Sequence, residues 1–320
     1  MTLGFRRAST AVDLSTRVGA VALANPVLTA SGTSGHGAEM AAYMDLATLG
    51  GVVVKSVSVE AWAGNPAPRL APLESGMLNS VGLQNPGIAA WLAEDLPLLA
   101  ATGAVVVASI WGFSVEDFRR AAAAITAARP PAVVAVEANS ACPNIEDRRR
   151  MFAHDPEAAG QVTAAAVEGL AGSGLPLWVK LSPNVTDLPA IAGTVLEAGA
   201  AAITLINTVM GLALDPATGR PRLGGGGGGL SGPAIHPVAV RAVFECRAAF
   251  PDAPIVGVGG ISRGVDAAEL LAAGADAVEV GTASFAQPNA PARVLEELAA
   301  WCHRHGIQKM SDLIGRAHGR

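Results

Sequence analysis

Two lysines stand where an apolar strand has no structural use for them. Lys55 lies at the end of the run Gly51–Ser56, and Lys180 lies inside Leu177–Ser182. An ammonium taken out of water needs an anionic or polar partner, and a bound anion would supply one at both positions. Other residues capable of chemistry occupy the same kind of place. Ala30-Ser31-Gly32 ends one apolar run, and Asn139 ends another that leads into Cys142-Pro143-Asn144. Asn207 stands in a third, while Gly259-Gly260 and Gly281-Thr282 close two more. An asparagine amide offers a donor and an acceptor together. Glycine-rich strand ends leave backbone N–H groups bare for an anion, above all beside a helix N-terminus. Singly, each residue has an ordinary structural use: an Asn caps a turn, a Lys lines a wet loop, a Gly pair makes a tight bend. Their convergence at strand ends is what points to one site.

The elements that must position them are short, β-branched apolar runs. Eight are present: Pro26–Gly32, Gly51–Ser56, Ala104–Ile110, Ala132–Ser140, Leu177–Ser182, Ala202–Thr208, Ile255–Gly260 and Ala277–Thr282. None alternates with polar residues, as expected of parallel strands covered on both faces. Ala-rich segments with helical spacing lie between them, at Val115–Ala128, Pro156–Gly172, Leu188–Ala198, Pro233–Phe250 and Val265–Ala273. Strand and helix alternating about eight times predicts an α/β fold, a single (β/α)8 TIM barrel spanning residues 1–320. Barrel sites gather at the C-terminal ends of the strands, and phosphate commonly binds after strands seven and eight. Gly259, Gly260, Gly281 and Thr282 fall there. Gly257-Val258-Gly259-Gly260 is a poor dinucleotide fingerprint, because Ser262 holds the third glycine position. A monophosphate cofactor is therefore expected.

Composition closes several alternatives. Hydrophobic residues are 51% of the chain and charged residues 15%, enough apolar material for a large core. With a net charge of -5 and 4% aromatics, no basic or aromatic footprint invites nucleic acid or an anionic membrane. Three widely spaced cysteines fit neither a disulfide framework nor a thiolate metal site, and six histidines show no metal spacing. No metal is expected. No apolar stretch reaches the roughly 18 residues of a membrane span, and no apolar core follows Arg6 and Arg7. A cytoplasmic protein is the expectation.

Longer motifs carry a resemblance. Gly76–Gly87 reads Gly-Met-Leu-Asn-Ser-Val-Gly-Leu-Gln-Asn-Pro-Gly. Further on stand Glu137-Ala-Asn-Ser-Ala-Cys-Pro-Asn144, Val179-Lys-Leu-Ser-Pro-Asn-Val185, Ile206-Asn-Thr208, Leu230-Ser-Gly-Pro-Ala234 and Val258-Gly-Gly-Ile261. From about Val12 to Ala286, in order and spacing, these resemble the class 1 dihydroorotate dehydrogenases, with Gly-Leu-Gln-Asn-Pro-Gly similar to the B-type catalytic subunit. The resemblance implies one FMN and oxidation of dihydroorotate to orotate in pyrimidine synthesis. It implies FMN contacts at Ala30, Ser31, Gly32, Lys55, Ser56, Asn139, Lys180, Ile206, Ser231, Gly232, Gly259, Gly260, Gly281 and Thr282. Substrate contacts would be Lys55, Asn79, Val81, Gly82, Leu83, Asn139, Asn144, Asn207 and Thr208. Cys142 matches the family's catalytic base, with Lys55 and Lys180 completing the catalytic set. A partner subunit carrying FAD and an iron–sulfur cluster is likewise implied, in a homodimer or heterotetramer.

Some positions depart from the family pattern. Ala141 stands where Ser usually precedes the Cys, Thr33-Ser34-Gly35-His36-Gly37 replaces an aromatic loop, and Ile145–Arg150 replaces small residues in the expected lid. These bear on the substrate, so a related pyrimidine or another cyclic amide competes with dihydroorotate. A Schiff-base lyase using Lys180 is a third reading. His36 reads as a loop residue, and Cys246 and Cys302 as buried helical cysteines. Gly224–Gly229 reads as a mobile loop near the cofactor rim, since ordering six glycines costs much backbone entropy.

Overall fold

The computed structural model describes residues 12–140 and 151–319. Each of the eight apolar runs contributes one barrel strand. They are β1 (Val27–Thr29), β2 (Gly51–Val53), β3 (Val106–Ile110) and β4 (Val133–Asn139), then β5 (Leu177–Leu181), β6 (Ala202–Leu205), β7 (Ile255–Val258) and β8 (Ala277–Val280). Neighbours pair in parallel and in chain order, and β8 pairs with β1 to close the barrel. Closure leaves no strand edge to protect.

Helices return the chain between strands. Val115–Ala128 starts with a Ser114–Asp117 capping box, and Pro156–Gly169 with Pro156 behind the Asp155 cap. Leu188–Glu197 is capped by Asp187, whose side chain accepts from the Ala190 N–H. These devices satisfy the first free N–H groups of each helix. His236–Ala249, Gly264–Ala273 and Ala290–Arg304 complete the outer layer. Cys246 and Cys302 are buried in two of these helices, and burial pushes the Cys246 thiol up to about 12. Among the described residues, no helix is long and apolar enough to cross a membrane.

Inside the barrel, side chains alternate by layer. Leu28, Val53, Val107, Ala135, Trp178, Ala202, Val256 and Ala277 form a dry cluster, joined by Val18, Val21 and Leu23. Those three come from the hairpin Thr16–Val18 and Val21–Leu23, which stoppers the N-terminal mouth. Two residues further along their strands stand Ser109, Glu137, Lys180, Thr204 and Glu279, all buried. The expectation of strands apolar on both faces therefore needs correcting. It holds for the outer face, but the second inward layer is polar because it forms the floor of a cleft.

A second, antiparallel sheet was not foreseen. Its order is Val209–Gly211, Gly228–Ser231, Gly76–Asn79, Leu70–Leu73, and its own small core is Ala71, Leu78 and Leu223. The glycine run belongs to it, which corrects the reading of Gly224–Gly229 as a mobile loop. Gly228–Ser231 is a strand, and the Gly224 N–H donates to the Pro68 carbonyl at 2.8 Å. The glycines serve close packing instead. A Cβ on Gly228 would lie 2.3 Å from the Asn79 carbonyl oxygen, and one on Gly229 would lie 2.0 Å from Thr208 Oγ1. A flexible loop gains from Gly→Ala, because the unfolded chain loses entropy. Here Gly228→Ala must push two strands apart. It should lower stability by about 1–3 kcal/mol, as overpacking does, measured by chemical denaturation.

Candidate active site

The C-terminal ends of the strands open into a cleft with about 1090 Å3 of empty space, part of it continuous with solvent. Each strand end delivers residues to it. Ala30, Ser31 and Gly32 follow β1, and Lys55 and Ser56 follow β2. Asn139 ends β4, and Lys180 lies one residue before the end of β5. Ile206, Asn207 and Thr208 follow β6. Gly259 and Gly260 follow β7, and Gly281 and Thr282 follow β8. The second sheet adds Asn79 and Ser231, with Val81, Gly82, Leu83 and Gly232 just beyond its strands. Every described residue expected to contact cofactor or substrate thus lines the same cleft. Cys142, Asn144 and the segment 145–150 lie outside the described residues, so nothing is said of their placement.

A hydroxyl and amide network fixes the middle of the floor. Ser56 Oγ is 2.9 Å from Ser109 Oγ and 3.1 Å from Ser31 Oγ. Asn139 Nδ2 donates to Ser56 Oγ at 3.1 Å, and Asn207 Nδ2 donates to Asn139 Oδ1 at 3.1 Å. The Thr208 N–H donates to Asn207 Oδ1 at 2.7 Å. Each amide is therefore oriented, and both residues line the cleft. Ser109 was missed in the sequence, where a lone serine inside an apolar strand carries little signal.

Lys180 is 5% exposed, and its Nζ lies 2.9 Å from Glu279 Oε2 and 3.9 Å from Glu137 Oε1. Both glutamates are fully buried. This corrects the sequence reading, which asked a bound anion to neutralise this lysine: the barrel brings its own carboxylates. Desolvation opposes the ammonium, but the two carboxylates outweigh it and hold Lys180 above the ordinary lysine range. Glu279 is pushed up to about 8, by burial first and by Glu137 second, against the pull of Lys180. A charged residue inside an apolar strand was the available signal for both glutamates, in Val-Ala-Val-Glu137 and Ala-Val-Glu279-Val.

At the other end of the cleft the backbone forms a cradle. Among the described residues, no group accepts from the N–H of Gly259, Gly260, Gly281 or Thr282. Gly259 and Gly260 have φ of 139° and 70°, and a Cβ on either would come within 2.9 Å of Ala239 or His236. Glycine is thus required there by conformation and by space. His236, at the start of its helix, donates from Nδ1 to the Gly259 carbonyl at 2.9 Å and steadies the turn. It too went unnoticed in the sequence.

His36 does not line the cleft, as its reading as a loop residue implied. Burial, then the nearby charge of Lys55, lowers it to about 4, so it is neutral at neutral pH. Its carbonyl accepts from the Trp91 indole at 2.8 Å, tying the β1 loop to the helical segment after β2.

Known proteins share this chain over nearly its whole length. Residues 13–301 match the family model for dihydroorotate dehydrogenase. The chain is 46% identical over 303 residues to a Solibacter usitatus protein named "Putative dihydroorotate dehydrogenase A (fumarate)", covering 95% of this chain and 98% of that one. It is 42% identical over 303 residues to the dihydroorotate dehydrogenase B (NAD(+)), catalytic subunit, of Pelobacter propionicus, covering 95% and 98%. The protein of the same name from Anoxybacillus flavithermus is 42% identical over 304 residues, covering 95% and 96%. With a closed eightfold barrel and its strand-end cleft beside these matches, the chain belongs to the dihydroorotate dehydrogenase family of flavin-dependent oxidoreductases.

Proposed function

We propose that the chain oxidises dihydroorotate to orotate in pyrimidine biosynthesis, with FMN as its cofactor. The observation that carries this is the cleft itself, in which a paired lysine, oriented asparagines and a bare-amide cradle share one cavity. The residues present fit the group. The N–H groups of Gly259, Gly260, Gly281 and Thr282 suit a single phosphate, as free amides near helix starts do. Ala30, Ser31, Gly32, Ser56, Ile206, Ser231 and Gly232 would line the rest of the cofactor. Lys180 would face its ring and stabilise negative charge there.

When bound, FMN supplies the acceptor for the hydride leaving C6 of the substrate. The other tasks fall to the chain. Asn79, Asn139, Asn144 and Asn207 would hold the pyrimidine's N–H and C=O edges, helped by Thr208 and by the backbone at Val81, Gly82 and Leu83. Lys55 would neutralise the substrate carboxylate. Cys142, two positions beyond Ser140 in the sequence, would remove the proton from C5. A thiol does this as thiolate, and a free thiol has a pKa of about 8.5. Lys180 argues against the Schiff-base lyase. Such a nucleophile must be a neutral amine, whereas Glu279 and Glu137 keep this one an ammonium.

The electrons must then leave. The relatives' names divide between fumarate and NAD(+). We favour the B-type route, in which a separate subunit with FAD and an iron–sulfur cluster receives them in a heterotetramer, the catalytic chain alone being a homodimer. Several of the relatives bear the catalytic-subunit name.

Purified protein should be yellow, and dihydroorotate added without air should bleach it. Colour lost only with another cyclic amide would transfer the role to that substrate, and a colourless protein would end the flavin reading. Fumarate alone should fail to restore the colour; rapid restoration by it would favour an acceptor without a partner. Cys142→Ser should keep the colour and slow bleaching by about 10²–10⁴-fold, the usual worth of a general base. In the unaltered protein the bleaching rate should rise with pH until the thiol is ionised. A flat profile from neutral to alkaline pH would remove Cys142 from that role.

A further inference from the structure

Two carboxyl groups are buried beneath the cleft beside an ammonium that lines it, and the three charges do not balance if all are ionised. Glu137 and Glu279 are both fully buried, and Glu279 lies within hydrogen-bonding reach of Glu137. Among the described residues, Lys180 Nζ donates to Glu279 Oε2 alone, at 2.9 Å; Glu137 Oε1 is 3.9 Å from Nζ, too far for a hydrogen bond. Glu137 Oε1 and Oε2 and Glu279 Oε1 are thereby buried with no donor among the described residues. Ionised carboxylates only accept, so two of them side by side cannot satisfy each other. One proton placed between them changes this. It makes one carboxyl a donor to the other and brings the cluster to zero net charge.

Among the described residues, no side chain donates to these three oxygens. The residues in register beside the three are Ser109 and Trp178 for Glu137, Asn139 and Thr204 for Lys180, and Val258 and Leu28 for Glu279. None of them is ionisable near neutral pH. Among the described residues, the charges that act on Glu279 are those of Glu137 and Lys180. Like charges confined to one dry site cannot both persist, and one group gives up its ionisation.

We propose that Glu137 and Glu279 hold one proton between them and so act as positioning residues that set the charge Lys180 presents to the cofactor cleft. Their role toward the flavin rests on the function proposed above; the shared proton does not. Below about pH 8 the pair keeps its proton and the cluster is neutral. Above it the proton is lost, and one negative charge appears beneath the cofactor. Electrons then enter less readily, unless a proton from solvent returns to the pair as they arrive.

Infrared spectra test the proton without any flavin. At neutral pH the protein should show the C=O band of a buried carboxylic acid, which fades as pH passes about 8. The band should be absent in Glu279→Gln and in Glu137→Gln, because a single remaining glutamate beside Lys180 ionises. A spectrum without the band, or a band unchanged in both variants, overturns the proposal. Either variant carries the test if the other does not fold. The flavin's midpoint potential tests the consequence. In alkaline solution its pH dependence in the unaltered protein should exceed that of Glu279→Gln by one proton per two electrons. The two should coincide near neutral pH, where the amide has the charge of the protonated acid. Equal slopes throughout would sever the pair from the cofactor. A protein that binds no flavin defeats the function proposed above, while the infrared result still decides the proton.

Discussion

A lysine ammonium inside a closed barrel is the constraint on which the site turns. Lys180 is nearly buried at the cleft floor, so protein groups must meet most of its charge. β5 carries the lysine, β4 and β8 carry the glutamates, and the three strands must hold register for Nζ to meet Glu279 at 2.9 Å. The dry layer beneath them, with Trp178 at its centre, keeps solvent out from below. The layer above is the floor of the cleft. Barrel closure, interior layering and the chemistry of the cleft are therefore linked through one ion cluster.

The second sheet and the glycine cradle serve the same end by different means. The barrel strands are short, and their ends alone would leave the cleft shallow. The sheet from Leu70–Leu73 to Val209–Gly211 raises a wall that brings Asn79 and Ser231 over the opening. It packs so closely that glycine is the only residue able to fill several of its positions. The cradle at Gly259 and Gly260 uses glycine for conformation as well as space, since the backbone there has positive φ. One residue type thus does two jobs in one site, and composition alone does not tell them apart.

Much of this was legible in the sequence. The eight apolar runs each became a strand, because a fully covered strand needs both faces apolar over most of its length. The residues at their ends converged, because parallel strands in one barrel point the same way. What escaped was anything set by partners distant in sequence. Glu279 and Glu137 are 142 positions apart, and only the closed barrel makes them neighbours. The strand Gly228–Ser231 was invisible for a similar reason: its glycines read as disorder until the backbone they press against is known. Lys180 was correctly marked as anomalous, but its partner was sought outside the chain and found within it.

The hairpin plug at the N-terminal mouth has a consequence for traffic. With Val18, Val21 and Leu23 packed into that end, the cleft is reached, among the described residues, from the C-terminal side of the barrel. Arrivals and departures then share one side of the molecule, and the strand-end loops that line it are the first surface a visitor touches.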